Sequence, residues 1–586
     1  MSQIGYQRWR KPNIEKMANQ QISIDNTYQP FNLANTQGYN PIYSRFFEMS
    51  EDNYNMIALN HQYQVTDLHT LFDRDGKKIK KDVFVKFSPL LDPLKFITGK
   101  YNLKDDSVKL LPSLDASKCI PKISNHHNCS YTDAFFSFLS NMLLEKHGFI
   151  HGVPFYGSAL AVQNRFRFNL ADDLDFVKDS EFFMDNIGKY YTIDENAELL
   201  LHEFSGSGSR ANRQKIAIHD SVNASIEVDN ILDENARESA SNEGSNTSVS
   251  EFLSLEYEKT ENSSNKSPHK SESDDSGGSS CSDETEDEYD EEEPEDEKNQ
   301  DETQFENEGD RENDDDSNWE TETSSSFDYE QEEPVYCYLH DFPVQMIFQE
   351  KCNGTLDELL MKKTFGNEEM IAALFQIIMI LLTYQKSFDF THNDLHTNNI
   401  MYVSTNQTHI NYCFENTWYR VPTYGRIYKL IDFGRAIYRF QDKTFCSDSF
   451  APNGDAFSQY NCEPFFNESK PRLEPNFSFD LCRLGCSLYD FFTEDNDKNS
   501  NPLDELIKKW CSDDQDKNVV YKKNGQERYP GFKLYKMIAR TVHHHTPKNQ
   551  LSNPVFSSFI HSGKSAPTTT SSITINIDEI PKYKIR

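Results

Sequence analysis

Nowhere in this chain of 586 residues do two cysteines stand as C-x-x-C, and none of the eleven has histidine partners at zinc spacing. An odd number of scattered cysteines fits a reducing, cytosolic setting rather than a disulfide framework. Asn-x-Ser/Thr strings such as Asn128-Cys129-Ser130 are then not expected to carry glycans. No signal-peptide pattern opens the chain at MSQIGYQRWRKP, and the longest apolar run, residues 371–382, is too short to span a bilayer. That run reads as a buried helix, and no membrane partner is expected. The run His543–His545 reads as the surface end of a helix rather than a metal site.

Positive charge is also short, with 59 Lys and Arg against 95 Asp and Glu, a net charge of −36. The deficit is local. Residues 271–333 hold thirty acids and two bases, a net of −28, so the rest of the chain carries only about −8. From 205 to 333 the sequence is Ser, Asn, Glu and Asp with few large apolar residues, which predicts a disordered acidic insertion unable to bury enough surface to order itself. Its sign disfavours nucleic acid and suits basic partners. Within it, SDETEDEYDEEE sets Ser282 and Thr285 ahead of acids, a pattern suited to acidophilic kinases.

What is present is concentrated in residues 391–436, where HNDLHTNNIM is followed about thirty residues later by KLIDFGRA. Transfer of a γ-phosphoryl group needs charge neutralisation and a base for the acceptor hydroxyl. Mg²⁺ keeps several waters and takes phosphate oxygens, so one carboxylate (Asp432) and one amide oxygen (Asn399) suffice as protein ligands. Asp394 is then free to serve as base. The step from Asp394 to Asn399 is long enough to turn the chain into one cleft, and Gly434 is expected to let the backbone reverse after Asp432. Either string alone is weak, since DFG is an ordinary turn tripeptide. Together, with an apolar helix before the first and an apolar strand (Ile427, Tyr428, Leu430, Ile431) before the second, they specify phosphoryl transfer.

These strings resemble the catalytic loop and metal-binding turn of protein kinases. The resemblance implies an α+β, bilobal kinase-like fold with a β-rich N-lobe and a mostly helical C-lobe, using ATP and Mg²⁺. His392, Asp394 and His396 form the implied catalytic set. NFSFDLCRLGCSLYDFF is similar to the central C-lobe helix, with Asp480 receiving backbone N–H groups of the catalytic loop and Gly485 allowing close packing. VFVKFSPLL resembles the strand whose lysine, here Lys86, contacts the α and β phosphates. MIFQEKCNGTLDELL resembles the fifth strand, hinge and next helix, making Gln349 the gatekeeper and the backbone of Glu350 to Cys352 the face toward adenine. TPKNQLSNPVFSSF looks like the last C-lobe helix.

Several positions depart from that pattern. No G-x-G-x-x-G precedes Lys86, and YNPIYSRFFEMSEDNYNMIAL is expected to supply two strands joined by a turn without a glycine lid. The helix SYTDAFFSFLSNMLLEKHGF offers Asp133 or Glu145 as partner for Lys86, and Asp133 is the choice. Asn393 replaces the loop arginine, implying activity that does not wait on activation-segment phosphorylation. His396 replaces the loop lysine. VSTNQTHINYCFENTWYRVPTYGR reads as an extended hairpin with strands at 412–414 and 418–421.

The combined strings are similar to protein-kinase-like proteins of giant DNA viruses of the mimivirus type, which implies expression in a host cytoplasm and a place in the virion. The expected organisation is an N-terminal extension (1–39), an N-lobe with four strands and helix C (40–204), the insertion (205–333), fifth strand, hinge and C-lobe (334–560), and a tail (561–586). The expected activity is transfer of γ-phosphate to Ser or Thr hydroxyls of a protein substrate. A pseudokinase that binds without turnover and a small-molecule kinase stay open as alternatives.

Overall fold

A computed structural model describes residues 4–23, 27–194, 196–197, 335–363, 365–492, 501–563 and 571–583. The insertion read at 205–333, with Ser282 and Thr285, lies outside the described residues. The described fold is mixed α+β.

The strand Val83–Pro89 shows why its sequence folds as it does. Val83, Val85 and Phe87 alternate onto one buried face, and Lys86 falls on the other. It is the last strand of an antiparallel sheet whose order is Leu33–Gln37, Phe155–Asn169, Tyr336–Glu350, Val83–Pro89. Ile347, at the centre of this sheet, stands between Lys86 and Ser158. The short strand before the insertion, Tyr191–Ile193, pairs with Cys337–Leu339 just after it, so the chain on the two sides meets at the sheet. Closing a long loop costs little more than closing a short one, so the fold tolerates the excursion.

The helix Cys129–His147 carries Asp133. Asn128 caps its start by accepting the Ser130 N–H, and Gly148 ends it at φ +63, a left-handed geometry that glycine adopts without penalty. Every residue from Ser130 to Leu143 is buried. The helix Asn367–Phe388 is long and apolar enough to cross a membrane, yet 89% of its most apolar window is enclosed by the rest of the protein. It ends at Asp389 (φ +51), which turns the chain into the loop that follows. The helix Phe479–Phe492 packs on Pro502–Trp510 at Gly485, where a Cβ would stand 2.9 Å from Trp510 Cβ.

The extended hairpin is present as His409–Phe414 and Thr417–Pro422. Its two-residue turn, Glu415-Asn416, has positive φ at both positions, as a tight hairpin turn of this length requires. Asp578 accepts both turn N–H groups, at 2.8 and 2.9 Å. The stretches set apart at the chain ends are thus structural. Ser572–Asn576 adds a parallel strand to the hairpin, Tyr6–Arg8 pairs with Ile57–Leu59, and Leu33–Gln37 joins the main sheet.

Three local expectations are corrected. YNPIYSRFFEMSEDNYNMIAL does not form two strands joined by a turn. Pro41–Arg45 and Tyr54–Met56 are 3-10 turns, and Ile57–Leu59 is the only strand there. The Asn40 side chain caps the first turn, and Phe46 joins an aromatic cluster with Phe135, Phe440 and Phe445. TPKNQLSNPVFSSF gives two short turns, Pro547–Gln550 and Pro554–Phe559, because Pro554 has no N–H to continue a helix. Of the three histidines after the helix Lys533–Thr541, His545 is buried on the Ser512 carbonyl, unlike its exposed neighbours.

Candidate active site

The loop after Asp389 is held from below by one carboxylate. Asp480 is fully buried and accepts the His392 N–H at 2.9 and 3.1 Å and the Asn393 N–H at 2.9 Å. Burial pushes its carboxyl up to about 6, and the two amide donors oppose that rise. Asn393, at φ +65, donates to the Arg435 carbonyl at 3.0 Å and accepts the Tyr460 hydroxyl at 2.8 Å. A neutral staple therefore stands where the resemblance has an arginine. His392 turns its Nε2 to the Ile431 carbonyl at 2.9 Å and its ring toward Phe433, so it braces the loop against the Asp432 turn.

Asn399 donates from Nδ2 to the Asp394 carbonyl and to His396 Nε2, both at 3.0 Å. Its Oδ1 is buried and accepts no hydrogen bond. A buried acceptor of this kind costs free energy unless something positive reaches it. Among the described residues, no group of three or more His, Cys, Asp or Glu side chains is placed to hold a metal. A hard cation here would thus rely on oxygens from a substrate, which is how Mg²⁺ binds with phosphates. Asn399 Oδ1 and the Asp432 carboxylate fit that donor set.

Across from the loop, the Lys86 ammonium lies 3.0 Å from Asp133 Oδ2 and 2.9 Å from Asp432 Oδ1. The other oxygen of Asp133 accepts the Phe433 N–H at 3.0 Å. One helix carboxylate thereby joins the sheet lysine to the turn that carries Asp432. Burial raises the Asp133 carboxyl, with Asp432 adding to the rise and Lys86 and the Phe433 N–H opposing it. Asp432 itself sits at φ +60, so the backbone reversal occurs there and not at Gly434, whose φ is not positive. The expectation for Gly434 is corrected on this point; a Cβ at Gly434 would stand 3.3 Å from Asp432 Oδ1.

Gln349 is buried and donates to Ser137, one turn along the Asp133 helix, at 2.9 Å. The Glu350 N–H is taken by the Pro154 carbonyl at 3.0 Å, and its carboxylate bridges Lys81 at 2.8 Å and Lys429 at 3.0 Å. Burial pushes the Cys352 thiol up to about 12, which keeps it protonated. Beside Lys86 the sheet ends. Among the described residues, the outer edge of this strand meets a neighbouring backbone at its start, where Val83 N–H donates to the Leu68 carbonyl at 2.9 Å.

Two side chains that motif reading passed over contact Asp394. Tyr535, on the helix Lys533–Thr541, donates its hydroxyl to Oδ1 at 2.7 Å. Arg435 stands 3.6 Å from Oδ2. Arg435 had a signal, since it directly follows the DFG tripeptide and is a cation near a site where His396 replaces the loop lysine. Tyr535 had none beyond its place on an amphipathic helix. No protein-family model matches this chain, and no curated protein matches it either.

Proposed function

We propose that this chain is an ATP- and Mg²⁺-dependent protein kinase of bilobal kinase-like architecture that transfers the γ-phosphoryl group to Ser or Thr hydroxyls. The observation that carries the reading is the Lys86 ammonium between Asp133 and Asp432, facing a loop that holds Asp394 and the unpartnered Asn399 Oδ1. A structural ion pair alone would not need that orphaned oxygen, nor a second buried carboxylate a few residues before it.

Asp432 and Asn399 Oδ1 would hold Mg²⁺, which supplies neutralisation of phosphate charge when bound. Lys86 orients the phosphates. Asp394 takes the proton of the acceptor hydroxyl, a role that contributes about 10²–10⁴-fold in comparable enzymes. Arg435 places a cation beside that base, where the family's loop lysine has been lost. Asp480 fixes the loop backbone, so the base is positioned before substrate arrives. A resemblance to protein-kinase-like proteins of giant DNA viruses would go with expression in a host cytoplasm and packaging into the virion, and both belong to this proposal.

A pseudokinase is the second reading, favoured by a sequence with no G-x-G-x-x-G before Lys86 and by the outer edge of the Lys86 strand, with which no strand pairs among the described residues. The test is Mg²⁺-dependent transfer of labelled γ-phosphate to the protein itself and to a mixed peptide library. Transfer that Asp432→Asn and Asp394→Asn both abolish supports the kinase. A folded wild-type protein that binds Mg·ATP but transfers nothing supports the second reading.

A further inference from the structure

We propose that Tyr535 is a built-in mimic of the acceptor, seated on Asp394 and displaced when an external hydroxyl is phosphorylated. The inference rests on the phosphotransfer reading above and adds a regulatory residue to that site.

A carboxylate acting as base must receive a hydrogen bond from the acceptor hydroxyl, at roughly 2.6–3.2 Å. The Tyr535 hydroxyl already makes this bond, 2.7 Å from Asp394 Oδ1. The other oxygen faces Arg435 at 3.6 Å, and Asp394 is only 3% exposed. A phenol O–H offers the base the same donor as a serine or threonine side chain. An incoming hydroxyl therefore competes with Tyr535 for one carboxylate.

The loop does not need Tyr535 to keep its shape. Asp480 and the pairing of Asn393 with Tyr460 brace the backbone before Asp394, and Asn399 Nδ2 donates to the Asp394 carbonyl from the residues after it. The tyrosine is instead held by its ring. Arg483 lies 5.0 Å and Arg435 5.5 Å from the ring centroid, and Phe532 stacks at 5.3 Å. Arg435 touches both partners, the Asp394 carboxylate and the Tyr535 ring. Withdrawal of Tyr535 would open Asp394 Oδ1 to a substrate hydroxyl. The helix carrying it has nine residues and buries Ile538 and Ala539, while Tyr535 stays half-buried.

Full-length wild type and Tyr535→Phe are compared for Mg·ATP binding by calorimetry and for γ-phosphate transfer to a mixed Ser/Thr peptide library. Phenylalanine keeps the ring contacts and removes only the hydroxyl. The expected result is unchanged ATP affinity with transfer raised about tenfold, the scale of one charge-assisted hydrogen bond. Equal or lower transfer by a variant that still binds ATP overturns the proposal, as does phosphate appearing on Tyr535 in the wild type. If neither protein binds Mg·ATP, the phosphotransfer reading itself fails and the proposal falls with it.

Discussion

Asp448 holds the Lys122 ammonium at 2.8 Å, and its second carboxylate oxygen accepts the Cys129 N–H at 3.0 Å. A side chain from the segment after the Asp432 turn thus caps the amino end of the helix that carries Asp133. A carboxylate at a helix amino end contributes about 1–2 kcal/mol through its hydrogen bond and the helix dipole. Asp448→Ala is expected to lose about that much stability and to speed amide exchange from Cys129 through Asp133. Because the contact is made by a carboxylate and not by an added phosphate, phosphatase treatment is expected to leave transfer unchanged. Exchange at Asp133 that stays at the wild-type rate would separate Asp448 from the site.

Lys86 and Asp133 are both buried, and Asp133 also satisfies the Phe433 N–H. Removing Asp133 leaves Lys86 with Asp432 as its carboxylate partner and orphans the buried Phe433 N–H, a loss on the order of 3 kcal/mol. Asp133→Ala is expected to unfold at lower urea and to drop kcat/KM by about 100-fold, nearly 3 kcal/mol of transition-state stabilisation. Asp133→Glu restores the charge but adds a methylene at a position only 1% exposed, so it should recover only part of the loss. Wild-type turnover in Asp133→Ala would show that phosphate orientation by Lys86 does not depend on this partner.

Asp480 titrates near 6 in the folded protein against an ordinary 3.8 in the unfolded chain. Its neutral form is the one the fold favours. The associated stability is full below about pH 4 and is lost as pH rises through about 6, a change on the order of 2–3 kcal/mol. Asp480→Asn cannot ionise, so the difference in unfolding free energy between the two proteins should change across that window. The variant also points an amide N–H at a backbone donor, a fixed cost of about 1–3 kcal/mol. A difference that stays constant with pH would show that Asp480 does not titrate there.

The legible parts of this protein are the local ones. The alternation of Val83, Val85 and Phe87 around Lys86, the apolar length of Asn367–Phe388 and the strands on either side of Glu415-Asn416 are each specified within a few turns of chain. Pro554 acted just as locally, yet the match to a helix pattern hid its missing N–H. The segment at 41–59 misled for another reason. Its aromatic residues suit a strand, but Phe46 packs with Phe135 and Phe445, contacts with no trace in its own spacing.

The sequence by itself determined which chemical groups exist and in what local setting: Asp394, Asn399 and Asp432 in two short strings, Lys86 on an apolar strand, Asp480 on a helix. Only the tertiary structure decided which of them meet. Asp133 reaches Lys86 across 47 residues and the Phe433 N–H across 300, and Tyr535 reaches Asp394 across 141. Such meetings depend on how helices and sheet pack over their buried faces, and many arrangements of the same local elements are compatible with one pattern of polar and apolar residues. The choice between Asp133 and Glu145 was settled there, because only one position on the helix brings a carboxylate to the buried ammonium.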